Sequence, residues 1–109
     1  MQFPREVDRI LRQAIAERRL IRFWLGGHER IAEPHDYGIK NGAVHVLVYQ
    51  VGGTSKSGDL PEWRWVRLAR ASGFELLDRR FDGGRDPENG RHAQWEQLFL
   101  RVASSDRSR

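Results

Sequence analysis

The chain contains no cysteine. A disulfide framework and a thiolate metal centre are therefore both excluded. Long apolar runs are missing too: no stretch approaches the roughly 20 residues needed to span a bilayer. The opening, MQFPREVDRILRQ, is charged throughout, unlike a secretory leader. These absences predict a soluble, cytoplasmic protein without a membrane partner. Lysine is scarce, two against seventeen arginines. Arginine suits phosphate, because its planar fork grips an oxyanion with two donors, although codon bias in a GC-rich genome produces the same skew.

Catalytic signatures are also absent. There is no Gly-x-Ser-x-Gly elbow and no phosphate loop ending in Gly-Lys-Ser/Thr. The run Gly52-Gly53-Thr54-Ser55-Lys56-Ser57-Gly58 has the wrong spacing for such a loop and joins two expected strands. It reads as a hairpin loop from which Lys56 can reach a ligand. His28, His35, His45 and His92 lack the close pairing of a metal site. No cofactor, metal or catalytic residue is expected, and the chain reads as a binding protein, not an enzyme.

What is present is material for one core. The 109 residues include four Trp, five Phe and two Tyr, enough for a single domain over 1–103 with a fraying tail at 104–109. The net charge of +4 is unevenly placed. Residues 1–31 carry seven Arg against four acids, residues 63–80 carry five against two, and the segment between them is net negative. Such asymmetry fits either an anionic partner or a solvated surface.

Periodicity predicts a leading helix. Val7, Ile10, Leu11, Ala14 and Ile15 recur at its spacing, with Arg5, Arg9 and Arg12 on the opposite face. Leu20–Leu25 then reads as a strand, Gly26-Gly27 as a hairpin turn and His28–Ala32 as its partner, with Pro34 breaking the ladder. Asp36–Lys40, an Asn41-Gly42 turn and Ala43–Tyr49 predict a second hairpin. Trp63–Leu68 and Phe74–Leu77 read as further strands, with Phe81 plugging the end of the core. Ala93–Val102 is expected to be a short C-terminal helix with Trp95, Leu98, Phe99 and Val102 inward. The sum is a mainly β, α+β chain: about five short strands in a small bent barrel, with a helix at each end.

Four segments in this order resemble the WYL domain family. Arg64-Trp65-Val66-Arg67-Leu68-Ala69-Arg70 is similar to that family's basic strand, and Glu75–Phe81 to the segment that closes the domain. Arg30-Ile31-Ala32-Glu33-Pro34 matches Arg-x-x-Glu-Pro, and Ala14-Ile15 through Phe23 matches the helix-to-strand entry. The family's namesake triplet falls on Val44-His45-Val46, and Val51–Glu62 is an insertion. The resemblance implies an Sm-like five-stranded barrel. It also implies a regulatory module that senses a nucleotide or single-stranded nucleic acid through a basic groove, as in bacterial and phage regulators.

On that basis Arg64, Arg67 and Arg70 are the candidate anion grip, with Trp65 stacking a base beside them. Arg30 either joins the groove or bridges to Glu33. His45 and Tyr49 share a strand face and either meet the ligand or belong to a polar rim. The alternative is a protein–protein module, a homodimer or the partner of a separately encoded regulator, marked by an apolar patch including Trp24, Trp63 or Trp95.

Overall fold

The computed structural model describes residues 5–54, 60–85 and 95–103. The predicted leading helix is α1, Arg5–Glu17. Ile10, Leu11, Ala14 and Ile15 are its buried stripe, and the basic face is laced by Arg9–Glu6 and Arg12–Asp8 ion pairs. Five strands then follow: β1 (Arg19–Leu25), β2 (His28–Lys40), β3 (Ala43–Gly53), β4 (Glu62–Arg67) and β5 (Ala71–Arg80). A single 3-10 turn, Leu68–Arg70, joins β4 to β5, and β6 (Gln97–Arg101) comes last.

Both two-residue hairpins form where their turn residues place them. Gly26-Gly27 closes β1–β2, and Asn41-Gly42 closes β2–β3. All four residues have positive φ, which a type I′ turn requires and which glycine and asparagine tolerate best.

The sheet is antiparallel, in the order β4-β3-β2-β1-β5, with β6 also on β2. Among the described residues it is open: β4 and β5 are edges and no ladder joins them. α1 packs on β1, β2 and β5, and Ile21, Phe23, Ala32, Tyr37, Val46, Val48 and Val66 of β1–β4 join its buried stripe in one apolar core. Tyr37, the bulkiest fully buried side chain, donates its hydroxyl hydrogen bond to Asp8 of α1 at 2.6 Å. Burial and that carboxylate raise the phenol's pKa well above its ordinary value.

Two expectations are corrected. Pro34 does not break the ladder; β2 runs through it. The register slips between Pro34↔Val48 and Asp36↔Leu47, leaving His35 as the extra residue of a bulge. The slip coincides with a change of neighbour on the other edge of β2. Its β1 ladder ends at Ala32, and its β6 ladder begins at Asp36. Proline's missing N–H does least harm at such a gap.

The second correction is the C-terminal helix. Within 95–103 the chain forms β6, not a helix, because β2 beyond Pro34 has an edge that β1 leaves unpaired. Satisfying that row of backbone groups outweighs a helical spacing only a few residues long. Leu98, expected inward, is exposed as a result.

Gly38 sets how closely β6 approaches. A Cβ there would collide with the Gln97 carbonyl oxygen and lie 3.0 Å from the Leu98 Cα. Gly38→Ala is expected to cost about 1–3 kcal/mol, as forced overpacking does, by pushing β6 off β2. Urea unfolding measures the loss, and amide exchange at Leu98 and Leu100 locates it. Unchanged protection at those amides would contradict the close approach.

Candidate anion site

Alternation along the strands decides which side chains meet. Arg30 on β2 has the parity of Ala32 and so faces the core side. Gln50 on β3 pairs with Ala32 on one side and Glu62 on the other, and Arg64 on β4 pairs with Val48. Arg30, Gln50, Glu62 and Arg64 therefore gather on one face, at the end of the sheet where β3 runs out.

Gln50 is the hub. Its amide oxygen accepts from Arg64 Nε at 2.9 Å and from Arg30 Nη1 at 3.3 Å. Its amide nitrogen donates to the carbonyls of Gly52 and Thr54 at 3.0 and 3.3 Å, which fixes the amide's orientation. Arg64 Nη2 pairs with Glu62, and Arg30 Nη2 donates to the Leu25 carbonyl at 3.2 Å. Gly53, at φ +86°, brings β3 against the start of β2; a Cβ there would collide with the Glu29 carbonyl oxygen.

The electrostatics are unbalanced. Arg30 is 7 % exposed and Gln50 0 %. Arg30 Nε is buried and has no hydrogen-bond partner among the described residues. Burial, followed by the like charge of Arg64, pulls the Arg30 pKa below its ordinary value, and Glu62 pulls it the other way. Two guanidiniums thus share one carboxylate and one neutral amide oxygen. An unsatisfied buried N–H costs on the order of 1–3 kcal/mol. An oxyanion seated between the two cations would offset the repulsion.

The expected grip is divided by the sheet. Arg64 faces the core side and Arg67, three residues on, faces the other; Arg70 lies in the 3-10 turn. The three arginines do not converge, because strand alternation separates the first two and the turn redirects the third. Trp65 is on the face opposite Arg64. Its ring lies 5.1 Å from that of Trp95, and Lys40 Nζ sits 4.8 Å from its centroid. His45 pairs across strands with Arg67 and faces Trp65 edge-on at 6.3 Å; its Nδ1 bonds the Ala43 carbonyl at 2.9 Å. Tyr49 packs on Trp63 at 5.1 Å beneath the Arg85 guanidinium, 4.3 Å from its centroid. Lys56 lies outside the described residues. Of the expected set, then, Arg30 and Arg64 come together, and His45, Trp65 and Arg67 make a separate group on the reverse face.

Sequence reasoning missed Gln50 as the hub. Its signal is a polar residue continuing the alternation Val44, Val46, Val48 onto the core face. The reverse face holds a second polar group. Arg85 grips Glu33 with two bonds, at 2.8 and 3.0 Å, while Arg101 and the Trp95 indole donate to the buried carboxylate of Asp36.

Comparison with family models, with curated proteins and with solved structures returns no match. The likeness to WYL domains rests on the residues quoted above.

Proposed function

We propose that the protein is a non-enzymatic, WYL-like regulatory module that binds a phosphate-bearing anion, a nucleotide or single-stranded nucleic acid, between Arg30 and Arg64. The observation that carries this is the buried Arg30 guanidinium held beside a second cation, Arg64, with a neutral amide oxygen as their shared acceptor. In this reading the anion takes over the position of the Gln50 amide oxygen, and the two arginines close on it from adjoining strands. The Sm-like barrel belongs to the same proposal. What supports such closure is that β4 and β5 end the order β4-β3-β2-β1-β5 and are joined in sequence by the three-residue turn Leu68–Arg70.

The alternative, a protein–protein module, has less behind it. Trp24 is 45 % exposed on β1, but β2 and β3 separate it from Trp63 on β4. Trp63 and Trp95 are partly buried in the reverse-face aromatic layer.

The experiment is a titration of inorganic phosphate, a mononucleotide and a short single-stranded oligonucleotide. For an oligonucleotide with the one phosphate neutralised between the two arginines, affinity should fall about 2.6-fold between roughly 50 and 200 mM salt. Absence of binding to all three at the lower salt would end the proposal.

A further inference from the structure

His35 occupies an unusual position. It is the unpaired residue of the β2 bulge, fully buried, and both ring nitrogens are engaged. Nδ1 lies 3.0 Å from the Glu33 carbonyl oxygen, which only accepts, so Nδ1 carries the proton. Nε2 lies 3.2 Å from the backbone nitrogen of Arg85, which only donates, so Nε2 is bare. The partners thus specify the neutral ring. The ring is closed in by Trp63, edge-on at 4.8 Å, and by Phe81, stacked at 5.5 Å.

The segment that donates to Nε2 is a short strap crossing the reverse face after β5. Phe81 N–H donates to the Arg18 carbonyl, Gly84 N–H to the Ala103 carbonyl and the Arg85 side chain to Glu33. Val102 N–H in turn donates to the His35 carbonyl at 2.8 Å. The strap and the end of β6 therefore both fasten on the bulge.

We propose that His35 is an acid-sensitive latch: protonating its ring releases the Phe81–Arg85 strap and the end of β6 from the sheet. A second proton goes to Nε2, where it faces the Arg85 N–H donor head-on and cancels that hydrogen bond. It also creates a buried cation, a costly state unless it is paired or solvated. Charged groups on the surrounding elements do not rescue it. Glu33 and Asp36 on β2 favour the cation, but Glu33 is held by Arg85 and Asp36 by Arg101 of β6. Arg85 on the strap opposes it, and the β4 ring against His35 is the uncharged Trp63, itself packed on Tyr49 of β3, while His45 and Arg67 pair further along the same face. Opening lets water solvate the ring. Burial, the largest influence, already holds the His35 pKa below its ordinary value of 6.5 in the closed state.

The sign follows. The depressed closed-state value means the open state binds the proton more tightly. Closure is therefore at full strength above pH 6.5 and weakens as pH falls towards the closed-state value, by about tenfold per pH unit. Acid release would bare Trp63 and Tyr49 while leaving the β1–β2–β3 ladders intact.

Amide exchange and ring titration by NMR on the full chain, from about pH 7.5 to 4.5, test this. The expected result is that opening at Gly84 and Arg85 rises about tenfold per unit below 6.5, with Val46 and Val48 amides unchanged after correction for intrinsic exchange. In His35→Gln, whose amide does not titrate, the pH dependence should vanish. Strap opening that ignores pH while the His35 ring titrates would overturn the proposal, as would the same pH dependence in the variant. If the variant does not fold, the wild-type chain decides alone: opening at Arg85 must follow the ring titration.

Discussion

Phe23→Ala is expected to remove about 3–5 kcal/mol of stability, the usual range for emptying a phenylalanine site in a core. The ring is fully buried on β1, lies in the cluster that meets α1, and stacks on Phe74 with centroids 5.2 Å apart. Phe74 belongs to β5, which among the described residues pairs only with β1, so the ring also holds an edge strand to the core. Against a total of about 5–15 kcal/mol for a domain of this kind, the loss leaves a marginal fold. Its thermal midpoint should drop by about 15 °C or more. Urea unfolding with an unchanged slope is the measurement. A loss below about 1 kcal/mol would mean that neighbouring side chains refill the site.

Arg30→Met should separate stability from binding. Methionine keeps much of the side-chain volume and removes the unpaired Nε, the repulsion with Arg64 and the burial of a charge. Replacing a buried ionic group by a packed apolar one is often neutral or favourable, so the variant should be as stable as the parent or about 1 kcal/mol more so. Its affinity for phosphate or a nucleotide should fall about a hundredfold, the equivalent of one lost charge-assisted bidentate contact at about 2.7 kcal/mol. Chemical denaturation with and without phosphate reads both effects, since a ligand that binds the folded state raises the midpoint. A variant that is less stable and still responds to phosphate would make Arg30 a structural residue.

Much of the architecture was legible in the amino-acid order because it is local. The stripe on α1, the Gly-Gly and Asn-Gly turns and the valine alternation of β3 each depend on near neighbours, and each formed as expected. The failures came from long-range pairing. Pro34 looks like a terminator only if its strand keeps one neighbour along its whole length; β2 exchanges β1 for β6 at that point. Residues 95–102 carry a helical spacing, but a vacant edge on β2 claims them as a strand. The candidate site was half legible. Arg64 and Arg67 are an odd number of residues apart on one strand, which by itself places them on opposite faces, and clustering in sequence obscured that. Arg30 and Gln50 join Arg64 only through the ladders of β2 and β3, whose register no short motif specifies.

The changing partnership of β2 also bears on biosynthesis. As the chain leaves the ribosome, β1, β2 and β3 can pair as consecutive hairpins. The stretch Asp36–Ile39 must wait for Gln97–Arg101, which is made after β1 to β5. Until then it offers bare backbone donors and acceptors, a template for pairing with another nascent chain. A protein shortened before residue 95 would keep that liability permanently, and it should accumulate as aggregate even though every strand from β1 to β5 is intact.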